Sequence, residues 1–252
     1  MELLSSLFSG GKGNRALDEQ AWLTVMRLPL FDGLEDAERA RLRELADQLL
    51  ADKAFSGAGG IEVEDGMATV IAAFAALPVL NLGYEWYQDW REIVVYPGEY
   101  VFDGELMDEH GIVHHVRHER SGEVLEGGPM VLSWEDVEHS GKGEGYNVVI
   151  HEFAHKLDMR SGDTNGRPPL HSGIDPAEWA REFQIAYDDL CRRVDSGEET
   201  VIDPYATESP AEFFAVLSEY FFEVPDVLKR EYPAVYGLMS RFYRQDPLAR
   251  LN

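Results

Sequence analysis

The chain has 252 residues, and its 47 acidic against 22 basic residues give a formal net charge of −25. A field of that sign repels phosphate backbones and anionic lipid, which argues against direct nucleic-acid binding and against a membrane-surface role. The single cysteine excludes an intrachain disulfide. The first residues lack the basic start and apolar run of a secretory signal, and no later run is apolar for long enough to span a bilayer. We therefore expect a cytoplasmic protein.

The first eighty residues have the pattern of an α-helical part. Apolar residues recur at helical spacing over residues 17–27, 36–55 and 67–77, and the second helix carries leucines at 42, 45, 49 and 50. A chain of this length can fold as one enlarged domain or as a main domain with an appended helical part. We predict a helical N-terminal part, residues 1–80, packed on a catalytic domain, residues 81–252.

Strands are predicted between residues 92 and 133, where β-branched and aromatic residues alternate with polar ones. Pro97-Gly98 and Ser121-Gly122 are typical of hairpin turns, so we expect the neighbouring strands to be largely antiparallel. A proline just before the last strand favours the edge of the sheet for that strand. The predicted strands are 93–96, 100–102, 112–118, 123–125 and Met130–Ser133.

Four histidines in this strand region raise the question of a metal site there: His110, His114, His115 and His118. The Cα atoms of residues i and i+4 on a strand are about 13 Å apart at about 3.3 Å per residue, which is too far for one ion. We therefore predict that these are surface histidines of strands.

Residues 147–158 contain the pattern His-Glu-x-x-His, formed by His151, Glu152 and His155. On a helix, histidines at i and i+4 lie one above the other and can bind a single ion beside the intervening glutamate. Two neutral imidazoles suit Zn²⁺, and a third protein ligand would leave an open position for a water. The pattern also occurs by chance in helices that bind nothing, but here apolar residues at helical spacing predict a half-buried helix.

The third ligand is less clear from the residues alone. Metzincins place a glycine three residues and a histidine six residues after the second motif histidine, whereas this chain has Asp158 and Ser161 there, which excludes that class. Thermolysin-like enzymes take a glutamate from a later helix. Glu212 is one candidate, but Ser209 and Glu212 also form the pattern of a capping box at a helix start. The candidates are Glu208, Glu212, Glu219 and Glu223.

Two blocks of sequence resemble the Mlc titration factor A family. The first is His-Glu-Phe-Ala-His-Lys-Leu-Asp-Met at 151–159, and the second is Tyr205 followed by Ser-Pro-Ala-Glu-Phe-Phe-Ala-Val-Leu-Ser-Glu-Tyr-Phe-Phe at 209–222. That family consists of bacterial zinc peptidases of the gluzincin type, related to the catalytic domain of anthrax lethal factor. We therefore expect an α+β, zincin-like metallopeptidase with a small, mostly antiparallel sheet, an active-site helix and a helical N-terminal part.

The resemblance implies one Zn²⁺ per chain, held by His151, His155 and Glu212, with Glu152 as the general base. It also implies that Tyr205 donates a hydrogen bond to the tetrahedral intermediate; the alternative is a turn residue that packs on its neighbours. Asp158 can orient a ligand histidine or simply end the helix. The roles of the three ligands, of Glu152 and of Tyr205 are expectations carried over from the family.

The activity that the resemblance implies is hydrolysis of short peptides as an aminopeptidase. From the predicted edge strand Met130–Ser133, we expect the peptide backbone to be held by strand addition. The alternative is a regulatory protein that binds and sequesters a transcriptional repressor of the Mlc type, with peptidase activity secondary. The expected partners are thus a peptide substrate and a repressor protein.

Overall fold

The computed structural model describes residues 14–98, 100–107, 113–120, 122–124 and 128–251. Helices account for most of these residues, and the α+β class is confirmed. None of the described helices is long and apolar enough to cross a membrane. The helices are α1 Glu19–Val25, α2 Asp36–Asp52, α3 Asp65–Ala76, α4 Trp134–His139, α5 Val148–Asp158, α6 Pro176–Asp195, α7 Pro210–Glu223, α8 Pro225–Glu231, α9 Pro233–Tyr243 and α10 Pro247–Arg250. The strands are β1 Ala54–Gly57, β2 Glu92–Tyr96, β3 Tyr100–Met107, β4 Val113–Arg120, β5 Gly122–Val124 and β6 Met130–Ser133.

The three helices predicted near the N-terminus are present as α1, α2 and α3. The predicted end of α2 at residue 55 is wrong, because the helix stops at Asp52 and the chain enters β1. β1 lies within the predicted N-terminal part, yet it pairs with β2, which lies beyond residue 80. The division into residues 1–80 and 81–252 stays a prediction.

The main sheet has the strand order β1-β2-β6-β5. β1 runs parallel to β2 and β2 runs parallel to β6, and the only antiparallel pair described in this sheet is β5 with β6. The prediction of a mostly antiparallel sheet is therefore wrong. The cause is that α3 connects β1 to β2, and a helix between two strands returns the chain to the same end of the sheet. An antiparallel arrangement does hold for β3 and β4, which form a separate two-stranded sheet.

The prediction that Met130–Ser133 forms a sheet edge is also wrong. β6 lies between β2 and β5, and all four of its residues are buried. Pro129 precedes the strand, so the backbone N–H that it lacks is not needed in the ladder. Pro97-Gly98 does not form the predicted hairpin either, because β2 pairs with β1 and β6 in the described part of the sheet.

Three of the predicted surface histidines, His114, His115 and His118, lie on β4. His110 lies outside the described residues, as do Ile112, Ser121 and Leu125 of the predicted strands and turns. The surface position of the four histidines stays a prediction.

The core that positions the functional site is built around α5 and α7. Every residue of α5 is buried, including the charged ones. Phe153, on the apolar face of α5, meets Tyr87 edge to face with ring centroids 4.8 Å apart and Trp90 with centroids 5.5 Å apart. Burying a phenylalanine of this kind contributes about 1.5–3 kcal/mol, which fixes α5 against the rest of the core.

Candidate metal centre

α5 presents the two motif histidines on one side. The helix begins at the N-cap Asn147, whose side-chain oxygen accepts a hydrogen bond from Ile150 N at 3.0 Å. The helix then places the rings of His151 and His155 one turn apart, with centroids separated by 4.9 Å. The predicted helix and the shared face of the two histidines are confirmed.

Glu212 reaches the same point from α7. One carboxylate oxygen of Glu212 lies 2.9 Å from His151 Nε2 and 3.4 Å from His155 Nε2. One ligand atom from each of the three residues lies within 4.8 Å of the others. Ligand atoms at 2.0–2.1 Å from a tetrahedral zinc ion are separated from one another by about 3.3 Å. These three side chains can therefore hold a metal ion.

The start of α7 leaves the side chain of Glu212 free to contact the two histidines. Ser209 caps the helix by accepting a hydrogen bond from the backbone N–H of Glu212 at 3.1 Å, and Pro210 occupies the first helical position. The side chain of Glu212 lies instead against the two imidazoles. Ser209 thus makes its half of the predicted capping box, and the carboxylate of Glu212 contributes to the histidine cluster.

Two further glutamates of α7 secure the N-terminus of α5. Glu219 is only 4% exposed and accepts hydrogen bonds from His151 Nδ1 at 2.8 Å and from Asn147 N at 2.6 Å. Glu223 accepts from Asn147 Nδ2 at 2.9 Å and from Gly143 N at 2.8 Å. Because a carboxylate accepts the hydrogen of Nδ1, the lone pair of His151 Nε2 is available to a metal ion. The sequence analysis predicted Glu219 as a possible ligand and missed this supporting role. Its spacing of seven residues from Glu212, two turns along one helix face, could have indicated that both glutamates face α5.

The carboxylates control the electrostatics of the cluster. Burial lowers the pKa of His151, but hydrogen bonds to Glu212 and Glu219 outweigh burial and raise that pKa well above its ordinary value. Burial likewise raises the pKa of Glu212, and the hydrogen bonds to His151 and His155 bring it below its ordinary value. A positive charge between these groups is therefore favoured, whether it is a proton or a metal cation.

Glu152 and Tyr205 lie beside the cluster. Glu152 is 4% exposed and close enough to His151 for its charge to raise the histidine pKa. Tyr205 is 52% exposed, and its ring centroid lies 6.0 Å from that of His151. Asp203 accepts a hydrogen bond from Tyr205 N at 2.9 Å and so fixes the short 3₁₀ turn that carries the tyrosine. One side chain is thus buried next to the histidines and the other faces solvent next to them.

Comparison with known proteins now identifies the family. The model of the glucose-regulated metallo-peptidase family M90 matches residues 12–244. This chain belongs to family M90. Mlc titration factor A of Yersinia pestis (strain Pestoides F) is 42% identical over 234 residues, which are 92% of this chain and 86% of that protein. Mlc titration factor A of Yersinia pseudotuberculosis serotype O:3 (strain YPIII) matches to the same extent.

The predicted family is confirmed by these matches, and the M90 description agrees with a metal at the cluster on α5 and α7.

Another buried group of this M90 chain, Lys156, follows His155 on α5 and lies over the ring of Trp90 at 5.1 Å from its centroid. Burial, with repulsion from Lys53, lowers the pKa of Lys156 to about 8. The sequence alone did not indicate a buried position for Lys156, because its partner Trp90 is distant in the chain.

Among the described residues, the hydrogen bonds of the Asp158 carboxylate go to the backbone and not to either motif histidine. The carboxylate accepts hydrogen bonds from the backbone N–H groups of Gly166 and Arg167 at 2.6 and 2.7 Å. The buried Nδ1 of His155 has no hydrogen-bond partner among the described residues. Asp158 therefore joins the end of α5 to the loop that follows it.

Proposed function

We propose that this chain is a zinc-dependent peptidase, with one Zn²⁺ held by His151, His155 and Glu212. The observation that carries the proposal is the convergence of the three ligand atoms within 4.8 Å of one another beside the buried Glu152. Two imidazoles and one carboxylate are the donor set of open catalytic zinc sites, which supports zinc over the harder Mg²⁺ and Ca²⁺.

Zinc, when bound, would supply Lewis acidity toward a water molecule and toward the scissile carbonyl. Glu152 would accept a proton from the attacking water and deliver it to the leaving amine. Its burial suits this role, because a carboxylate shielded from bulk solvent keeps the proton within the site. Glu219 would hold His151 with Nε2 facing the ligand position.

Tyr205 would donate a hydrogen bond to the oxyanion that forms on the substrate carbonyl. Its phenol is on the exposed side of the cluster, where an incoming peptide can reach it. Donors placed where negative charge develops stabilise the transition state more than the bound substrate. The role of Tyr205 therefore concerns the chemical step.

Replacing the phenol tests this role. Tyr205→Phe is expected to lower kcat by about 10²-fold, the lower end of the effect of removing one oxyanion donor. KM for a short peptide should change little, because the lost hydrogen bond forms mainly in the transition state. Steady-state kinetics on the zinc-loaded protein measures both. Tyr146→Phe removes another exposed phenol, whose hydroxyl donates to Asp136, and serves as the control.

The partner of His151 gives a second test. Glu219→Gln keeps the shape of the side chain but removes the charge that fixes the imidazole. The loss of such a partner typically weakens metal affinity about 10–100-fold, and we expect a loss in this range. Competition with a chromophoric chelator measures the dissociation constant. Glu208→Gln, at an exposed position, should leave the constant unchanged.

Within this proposal, the substrate class is short peptides cleaved from the N-terminus, as the family resemblance suggests. A free α-amino group then has to be recognised, so an N-acetylated peptide should be hydrolysed far more slowly than the same peptide with a free amine. Mass spectrometry of the products distinguishes stepwise loss of N-terminal residues from internal cleavage. Internal fragments as the first products would contradict the aminopeptidase assignment.

The second candidate function is binding of a transcriptional repressor, and the observation that favours it is the name Mlc titration factor A of the relatives. A repressor of the host would then be retained by this chain independently of catalysis. A pull-down with wild type and with Glu152→Gln tests this directly. Equal retention by both variants supports a binding function separate from hydrolysis, and retention by neither contradicts it.

A further inference from the structure

We propose that Asp158 and Gly166 are positioning residues that set the distance between the two halves of the metal centre. His151 and His155 belong to α5, whereas Glu212 belongs to the first turn of α7. Glu219 and Glu223 join the later turns of α7 to the start of α5, so the first turn of α7 is fixed by other contacts. The inference rests on the proposed zinc function, because it concerns the three ligands named there.

The first link runs from α5 to the following loop. Asp158 is the last residue of α5, three positions after His155, and is fully buried. Its two carboxylate oxygens accept from Gly166 N at 2.6 Å and from Arg167 N at 2.7 Å. Hydrogen bonds to a charged acceptor are roughly twice as strong as neutral ones, and two of them fix both position and orientation. The peptide at Gly166 therefore moves with α5.

The second link runs from the loop to α7. Gly166 has φ +75°, and a Cβ added there would overlap the carbonyl oxygen of Pro210 and lie 3.6 Å from the Cβ of Phe214. Trp179 of α6 holds the same peptide from the other side, its Nε1 donating to Gly166 O at 3.2 Å. The Cα of Gly166 thus lies directly against the first turn of α7, with no room for a side chain.

The two links place Glu212. Pro210 precedes Glu212 by two residues, so a shift of the first turn of α7 moves the Glu212 carboxylate away from the imidazole nitrogens, which lie 2.9 and 3.4 Å from it. Metal–ligand distances in well-formed sites lie within about 0.2 Å of their standard values. A methyl group between Gly166 and Pro210 needs a larger displacement than that. Asp158 and Gly166 therefore act on the metal through Glu212.

The test compares Gly166→Ala with a matched glycine. Gly197 also has φ +75°, but a Cβ added at Gly197 meets nothing within 4 Å. Both alanine variants carry the same backbone strain, but Gly166→Ala also has to displace the backbone of Pro210, so it should lower the unfolding midpoint of the zinc-free protein more than Gly197→Ala does. Only Gly166→Ala should weaken zinc binding, by about tenfold or more, as for the loss of an outer-shell support. Only this variant should alter the visible absorption spectrum of the Co²⁺-substituted protein.

Asp158→Asn tests the same junction without adding volume, and it decides the question if Gly166→Ala does not fold. The amide group replaces one acceptor oxygen with a donor, so one of the two backbone hydrogen bonds is lost. Asp175→Asn, at the exposed N-cap of α6, is its control. Wild-type zinc affinity and Co²⁺ spectrum in Asp158→Asn or Gly166→Ala would overturn this inference alone. A wild-type chain that binds no zinc would overturn the proposed function and the inference together.

Discussion

Glu152→Gln is expected to lower kcat for peptide hydrolysis by about 10⁴-fold, the upper end of general acid–base contributions. The glutamine has the shape of the glutamate but cannot accept a proton from water or return one to the leaving amine. Because Glu152 is not one of the three clustered ligand residues, zinc content should stay at one ion per chain. Steady-state kinetics on a short peptide, paired with metal analysis of the same sample, measures the two quantities together.

The control for this variant is Glu138→Gln, which removes a carboxylate from an exposed position of α4. That variant should keep the wild-type kcat and zinc content. Full activity of Glu152→Gln with zinc bound would remove Glu152 from the mechanism. Loss of zinc together with activity would instead assign Glu152 to the metal site.

Glu212→Gln is expected to weaken zinc binding by more than about 10²-fold, because the loss of a direct ligand exceeds the 10–100-fold typical of an outer-shell partner. The amide oxygen is a weaker ligand for zinc than a carboxylate oxygen. The helix itself should persist, since Ser209 caps α7 through the backbone N–H of residue 212, which the substitution leaves in place. A normal far-ultraviolet circular dichroism spectrum would verify that the fold survives.

Comparison among the glutamates sharpens this result. Glu208→Gln should bind zinc with the wild-type affinity. Glu219→Gln should lose an intermediate part of the zinc affinity, and Glu212→Gln should lose the largest part. This order follows from direct contact of Glu212 with both imidazoles and of Glu219 with His151 Nδ1 alone. An unchanged zinc dissociation constant in Glu212→Gln would refute its place as the third ligand.

The sequence predicted the individual elements around the candidate site better than it predicted the pairing of the strands. Helix α5 carries strong local signals, namely Asn147 as a cap, a continuous apolar face and histidines four residues apart. β6 was predicted with its correct bounds for similar reasons, since Met130–Ser133 is a compact apolar run. Such elements depend mainly on residues close in the chain, and periodicity detects them.

The strand pairing could not be predicted in the same way. β1 has only four residues, among them Ser56 and Gly57, so it has the composition of a helix end followed by a turn. Without β1 there was no strand–helix–strand unit to indicate parallel pairing, and Pro97-Gly98 suggested a hairpin instead. The prediction of an edge position for Met130–Ser133 was wrong because it rested on Pro129 alone, whereas β6 pairs with β2 on one side and with β5 on the other.

The supporting contacts of the site are also tertiary. Periodicity places Glu219 on the same face of α7 as Glu212, but only the packing of α7 on α5 brings Glu219 to His151. In the sequence, Asp158 cannot be told from an ordinary residue at a helix end. Its hydrogen bond with the backbone of Gly166 depends on the path of the loop that follows. The residue pattern thus indicates the two candidate histidines on α5, whereas the contacts that support them depend on the packed structure.

The most direct test of the central proposal is hydrolysis of a mixture of short peptides by the same protein preparation, before and after its metal is removed. The proposal predicts cleavage by the chain with one zinc ion bound, no cleavage after chelation, and recovery when one equivalent of zinc is restored. Undiminished cleavage by the zinc-free chain, or no cleavage of any peptide by the zinc-loaded chain, would contradict it.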